Sequence, residues 1–267
     1  MTHTASGRRK AIKKRLLPAI LLLAAIALAG AVWLYAAGGY PADTEALRAL
    51  ESGPTVRVER TGWGWFFDGP SESDALVFYP GARVAAEAYA PLLHRLADGG
   101  VDVCLVRMPL ELAIFGADRA GEVMEQYDRA RWYVGGHSLG GAMAARYASA
   151  HGEDLTGVIL LAAYPTRPLS DPLRLISVYG SRDGVLNRDR LKSGWLYAPA
   201  DRLEHVIQGG NHAYFGNYGL QKGDGEATIS REAQQAEAAR VILDALHPTS
   251  TSTSMRSTRG SRQPNRP

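Results

Sequence analysis

The sequence predicts an α/β fold: a mostly parallel central sheet with helices on both faces, preceded by one N-terminal membrane-spanning helix. Three observations carry this. Short apolar runs alternate with helical periods from residue 55 to residue 247. Some of these runs, such as VILLA at 158–162, are apolar throughout, as strands covered on both faces must be. Residues 16–37 hold no charged side chain.

That uncharged stretch is 22 residues long. As a helix it would measure about 33 Å, enough for a hydrocarbon core of about 30 Å. Pro18 falls in its first turn, and Trp33 and Tyr35 fall at its far end, where aromatic rings suit the interface. The six Lys/Arg of residues 1–15 predict a cytoplasmic N-terminus, with residues 38 onward outside the cytoplasm at the cell membrane. A cleaved signal peptide is the competing reading, with Ala29–Gly30–Ala31 as its cleavage site. Both readings place the body of the chain outside the cytoplasm.

Residues 38–54 read as a short charged spacer with some helical character. TVRVERT (55–61) and GWGWFFD (62–68) predict two adjoining strands, and DALVFYPG (74–81) a compact strand ending in a turn. Residues 85–100 have a helical period, with Leu92, Leu93 and Leu96 on one side and a Gly-Gly stop. A strand at 101–109, a helix at 116–130, a strand at 131–136 and a helix at 139–151 follow. Strands are predicted at 155–165, 173–184 and 201–212. A closing amphipathic helix at 227–247 is predicted to bury Ile229, Ala233, Ala236, Ala239 or Arg240, and Leu243. Residues 248–267, rich in Ser, Thr and Arg, have no apolar period and predict a disordered tail.

Composition excludes some functions. The single cysteine, Cys104, rules out an intrachain disulfide and any multi-cysteine metal site. Ten of the 30 Lys/Arg lie in residues 1–15 and 248–267, which hold no acid. The remaining 20 stand against 27 Asp/Glu, so residues 16–247 carry a formal charge of −7. The basic pI therefore comes from the two ends, and the acidic body offers no basic surface for nucleic acid.

GHSLG at 136–140 is a glycine-x-serine-x-glycine turn between a predicted strand and a predicted helix. A turn that pivots from strand to helix so abruptly strains the serine backbone and projects its hydroxyl. Gly136 and Gly140 leave room for the close approach. Two readings of Ser138 stand here: a nucleophile, or a helix N-cap with glycines for the turn. Chain order favours the first. Asp183 and His212 each lie just past the carboxyl end of a predicted strand, where open α/β sheets gather their chemistry. Ser, then Asp, then His is the order this architecture requires. Asp189 is the fallback acid, and Asp183 also fits a plain Asp-Gly turn. The Leu139 N–H is the first candidate oxyanion donor, and the Ala82 N–H, after the strand ending at Tyr79, is the second.

With GHSLGG, YPG upstream and GGNHAYFGNYG downstream, residues 55–246 resemble the α/β-hydrolase superfamily, and more narrowly a small bacterial branch that joins an N-terminal membrane segment to a compact hydrolase domain. The resemblance implies Ser138 as nucleophile, His212 as base, Asp183 as orienting acid, and backbone N–H groups of Ala82 and Leu139 as oxyanion hole. It implies no metal or organic cofactor. Dienelactone hydrolases carry a cysteine at the nucleophile position, where this chain has Ser138. Haloalkane dehalogenases and epoxide hydrolases carry an aspartate there.

Only 44 residues separate Ser138 from Asp183, which leaves no room there for a large cap domain. Met108, Leu110, Phe115, Tyr164, Tyr214 and Phe215 are the apolar residues expected to rim the site. The expected activity is serine-dependent cleavage of carboxylic esters, with thioesters open to the same machinery, on small or lipid-like substrates. The alternatives are a non-catalytic membrane-anchored binding protein on this scaffold and a cell-envelope acyltransferase.

Overall fold

The computed structural model describes residues 38–247, together with Ile26 and Gly30. The chain divides into two units, residues 1–39 and 40–267. Apart from Ile26 and Gly30, the span expected at 16–37 lies outside the described residues, as does the tail expected at 248–267. Among the described residues no helix is long and apolar enough to cross a membrane.

The second unit is built on eight strands: β1 (Arg57–Arg60), β2 (Gly64–Asp68), β3 (Asp74–Tyr79), β4 (Val101–Val106), β5 (Arg131–His137), β6 (Gly157–Leu161), β7 (Arg174–Gly180) and β8 (Arg202–Ile207). They form one sheet in the order β1-β2-β4-β3-β5-β6-β7-β8. β1 pairs antiparallel with β2, and β2 antiparallel with β4. All other neighbours are parallel. β3, β4 and β6 are buried along their whole length. That explains their unbroken apolar character, since both faces are covered. The two acids among them, Asp74 and Asp102, sit at the amino-terminal edge and are paired. Arg131 meets both oxygens of Asp74 at 2.5 Å, and Arg129 meets Asp102 at 2.8 Å.

Among the described residues six α-helices accompany the sheet: α1 (Thr44–Arg48), α2 (Ala90–Asp98), α3 (Arg119–Met124), α4 (Leu139–Ala150), α5 (Arg188–Gly194) and α6 (Arg231–Leu246). Apolar residues pack into two clusters. One includes the buried residues of α2 and α6, and the other those of α3 and α4. The helix expected at 116–130 is only α3. Past it, Tyr127 stacks on Phe66 at 4.5 Å and Arg129 turns in to Asp102, so the chain is drawn to the sheet instead of continuing the helix. α5 was not expected. Its residues are mostly polar and show no apolar period, and it begins on Asn187, whose side chain accepts the Arg190 N–H at 2.9 Å.

The closing helix departs from expectation in its buried face. Ala233 and Ala236 are exposed, and Leu243 is only partly buried. The core takes Gln234, Gln235, Ala238, Ala239, Val241, Ile242, Ala245 and Leu246 instead. Two buried glutamines decide the rotation. Gln234 accepts the Asn211 N–H at 2.9 Å and donates to the Asn211 carbonyl at 2.8 Å. Gln235 donates to the Asn217 side chain at 2.8 Å and to the Tyr214 carbonyl at 3.3 Å. α6 thus holds the segment that follows β8. Replacing Gln234 by Leu keeps the bulk but orphans both Asn211 backbone groups. At about 1–3 kcal/mol for each of the two buried unpaired groups, denaturant unfolding should show a loss of roughly 2–6 kcal/mol. Stability equal to the native protein's would contradict this account of α6.

Candidate active site

Ser138 joins β5 to α4 with φ 53° and ψ −122°, a conformation that non-glycine residues rarely adopt. Both flanking glycines are required. A Cβ on Gly136 or on Gly140 would fall on the Tyr79 carbonyl oxygen of the neighbouring strand. The serine backbone is pinned on both sides. Its N–H donates to the Leu161 carbonyl at 2.9 Å, and its own carbonyl accepts the Ala142 N–H at 3.0 Å. Ser138 occupies the N-cap position of α4, yet its hydroxyl makes no capping bond. The hydroxyl is left for other use.

Asp183 follows β7 and His212 follows β8, and the structure brings them together. His212 Nδ1 lies 2.8 Å from Asp183 Oδ2, with both side chains buried. The other Asp183 oxygen accepts the Val185 N–H at 2.9 Å and the Leu186 N–H at 2.7 Å, so the carboxylate cannot swing. A carboxylate only accepts, which places the imidazole proton on Nδ1 and leaves Nε2 as an acceptor. That Nε2 is buried without a hydrogen-bond partner. His212 and Ser138 line the same cavity, of about 250 Å³. Asp189, the fallback acid, is exposed in the first turn of α5.

Leu139 lines this cavity as the first residue of α4, where the backbone N–H has no partner within the helix. Ala82 lies in the turn after β3. Its neighbours are committed: Gly81 N–H to the Tyr89 hydroxyl at 3.1 Å, and Arg83 N–H to the Glu111 carbonyl at 2.8 Å. Among the described residues the Ala82 N–H has no partner, although Ala82 is not part of the cavity lining.

Among the aromatic and apolar residues expected at the rim, Tyr164 lines the cavity. Met108 borders a separate cleft with Pro80 and Arg107. Leu110 and Phe115 are exposed on the segment after β4, and Phe215 is buried in the core. Tyr214 is half-buried beneath the Arg231 guanidinium, 4.9 Å from its ring. The wall not anticipated from the sequence consists of Val185, Leu186 and Asn187, directly after the acid, and the small residues Ala142, Ala162 and Ala163. Position supplied a signal for the first three, because they continue the loop at the carboxyl end of β7. Among the described residues, no cluster of three or more His, Cys, Asp or Glu side chains is placed to hold a metal ion.

His137, inside the elbow, has a role that sequence reasoning missed. Its Nδ1 lies 2.8 Å from the Tyr89 hydroxyl. That same hydroxyl oxygen accepts the Gly81 N–H at 3.1 Å. One tyrosine therefore ties the elbow to the turn that carries Ala82. The His137 ring also lies 4.5 Å from the His212 ring.

A model of the alpha/beta hydrolase family matches residues 75–236, more than half of the chain. The chain belongs to the alpha/beta hydrolase family. Solved structures similar to it include TT1662 from Thermus thermophilus, at 17% identity and a TM-score of 0.53, covering 72% of this chain and 96% of that one. A CIB-like hydrolase from Thermoplasma acidophilum matches at 15% identity and 0.54, covering 73% and 99%. Dienelactone hydrolase from Anabaena variabilis matches at 10% and 0.53, covering 71% and 96%. At these identities the likeness is one of fold. No curated protein matches the chain.

The buried His137 predicts an acid-side loss of stability. Burial, and after it the nearby His212, hold its pKa well below the ordinary 6.5. The unfolded chain takes up a proton there that the folded chain refuses. Its contribution is full above about pH 6.5 and is lost as pH falls from there towards the folded-state value. Between about pH 7 and 5, unfolding free energy should fall more steeply in the native protein than in His137→Gln, by up to about 1.4 kcal/mol per pH unit. Equal slopes would contradict a neutral buried imidazole.

Proposed function

We propose that this chain is a serine hydrolase that cleaves carboxylic esters, and by the same route thioesters, through an acyl-enzyme on Ser138. The observation that carries the reading is His212: one ring nitrogen bound to a fixed carboxylate, the other buried and unpartnered, on a residue that lines the same cavity as a strained serine.

His212 Nε2 takes the proton from Ser138 Oγ as that oxygen attacks the substrate carbonyl. Asp183 holds the Nδ1–H tautomer and stabilises the imidazolium without itself taking the proton. Negative charge gathers on the carbonyl oxygen, and the N–H groups of Leu139 and Ala82 meet it. The imidazolium then returns its proton to the leaving alcohol. Water, activated by the same nitrogen, clears the acyl group from Ser138. No step requires a cofactor. A cavity of about 250 Å³ with alanines in its wall suits a short acyl chain. We further propose that residues 16–37 hold the domain at the outer face of the cell membrane, where small or lipid-like esters are accessible.

Turnover of short p-nitrophenyl esters tests the first part. Ser138→Ala should reduce it to background with the thermal transition nearly unchanged, and Asp183→Asn should lower it by roughly a hundredfold or more. Near-native turnover by Ser138→Ala would overturn the assignment. A reporter fused after residue 247 tests the second part. It should be active outside the cytoplasm, and cytoplasmic activity would reverse the topology.

A further inference from the structure

Asp224 has no part in the chemistry above, yet its carboxylate is where the two loops of the acid and the base meet. Oδ1 accepts the Gly184 N–H at 3.1 Å, directly after Asp183. It also accepts the N–H of His212 at 3.1 Å and that of Gly225 at 2.8 Å. Oδ2 accepts the Ala213 N–H at 2.8 Å. Four backbone donors thus converge on one carboxylate, three of them on Oδ1 and one on Oδ2.

The sheet cannot supply this connection. β7 ends at Gly180 and β8 at Ile207, short of both Asp183 and His212. Two more backbone bonds extend the pairing, Ser181 N–H to Ile207 and Arg182 N–H to Gly210, at 2.9 and 2.8 Å. Beyond them the Asp183 N–H turns back to Gly180 in its own loop. Past that point the acid and base loops are joined by the Asp183–His212 bond and by Asp224. The segment bearing Asp224 is itself anchored. The Gly225 carbonyl accepts from the Asn211 side chain at 2.9 Å, and the Thr228 N–H donates to Gly209 at 2.8 Å. It also lies tight against the acid loop: a Cβ on Gly184 would come within 2.8 Å of the Gly225 nitrogen.

We propose that Asp224 is a positioning residue, a carboxylate clasp that keeps the acid loop and the base loop in the register at which Asp183 and His212 bond. The inference rests on the hydrolase reading for its effect on rate, but not for the clasp itself. Asparagine has nearly the same shape, yet its N–H₂ group must face either the Ala213 N–H or the N–H groups of Gly184, His212 and Gly225, so the clasp loses part of its bonds whichever way the amide turns.

The test compares the native full-length protein with Asp224→Asn by three readouts. Turnover of a short p-nitrophenyl ester should show kcat lowered about tenfold or more with KM within about threefold, the pattern of a displaced base with an intact pocket. The far-downfield proton resonance of the His212 Nδ1–H should be present in the native protein and broadened or lost in Asp224→Asn. In the native protein alone, the Gly184 amide, although exposed, should be protected from hydrogen exchange together with those of His212 and Ala213. Native-like kcat with an unchanged resonance in the variant would overturn the proposal. So would exchange of the native Gly184 amide at a free-loop rate, which decides the matter even if the variant does not fold. A native protein without turnover, whose resonance is nonetheless lost in the variant, would end the hydrolase reading and leave the clasp standing.

Discussion

The hydrogen bond between His212 and Asp183 is the constraint around which the carboxyl edge of the sheet is organised. Both groups are almost wholly withdrawn from water, so each polar atom must find a partner in the protein or carry a penalty of about 1–3 kcal/mol. Asp183 meets that requirement with two backbone N–H groups and the imidazole. His212 meets it with one nitrogen and leaves the other unpaired at the cavity.

Holding it there is a problem of reach, because a parallel sheet delivers its strand ends to one edge but not the residues beyond them. Three devices cover the gap. The glycine elbow lets Ser138 stand in a strained conformation, pinned by β6 on one side and by its own helix on the other. Tyr89 and His137 bind the elbow to the turn after β3. Gln234 and Gln235 of α6, with Asp224, secure the loop of the base. Each device acts through directional hydrogen bonds, so each fixes an angle as well as a distance.

Much of the sheet was legible in the sequence because a strand covered on both faces must be apolar along its length, as the runs containing Leu76, Cys104 and Ile159 are. The elbow was legible because its backbone tolerates only glycine two residues to either side of Ser138, at Gly136 and Gly140. Pattern reading failed where polar side chains are buried for their hydrogen bonds. Gln234 and Gln235 look like surface residues, so the inward face of the closing helix was assigned to Ala233 and Ala236. It failed again at the cavity wall. The aromatic residues Phe115 and Phe215 were expected there, but one is exposed and the other buried in the core, while Val185 and Leu186 take the place because of where the acid loop runs. Hydropathy reports burial on average, not which neighbour a side chain meets.

The central claim is that His212 and the elbow together make Ser138 a nucleophile. Reaction with a fluorophosphonate, followed by mass measurement of the intact protein and its peptides, tests it most directly. The account predicts one adduct per chain, on Ser138, formed quickly in the native protein and far more slowly in His212→Ala. A native protein that stays unlabelled, or that carries its adduct on another residue, would contradict it.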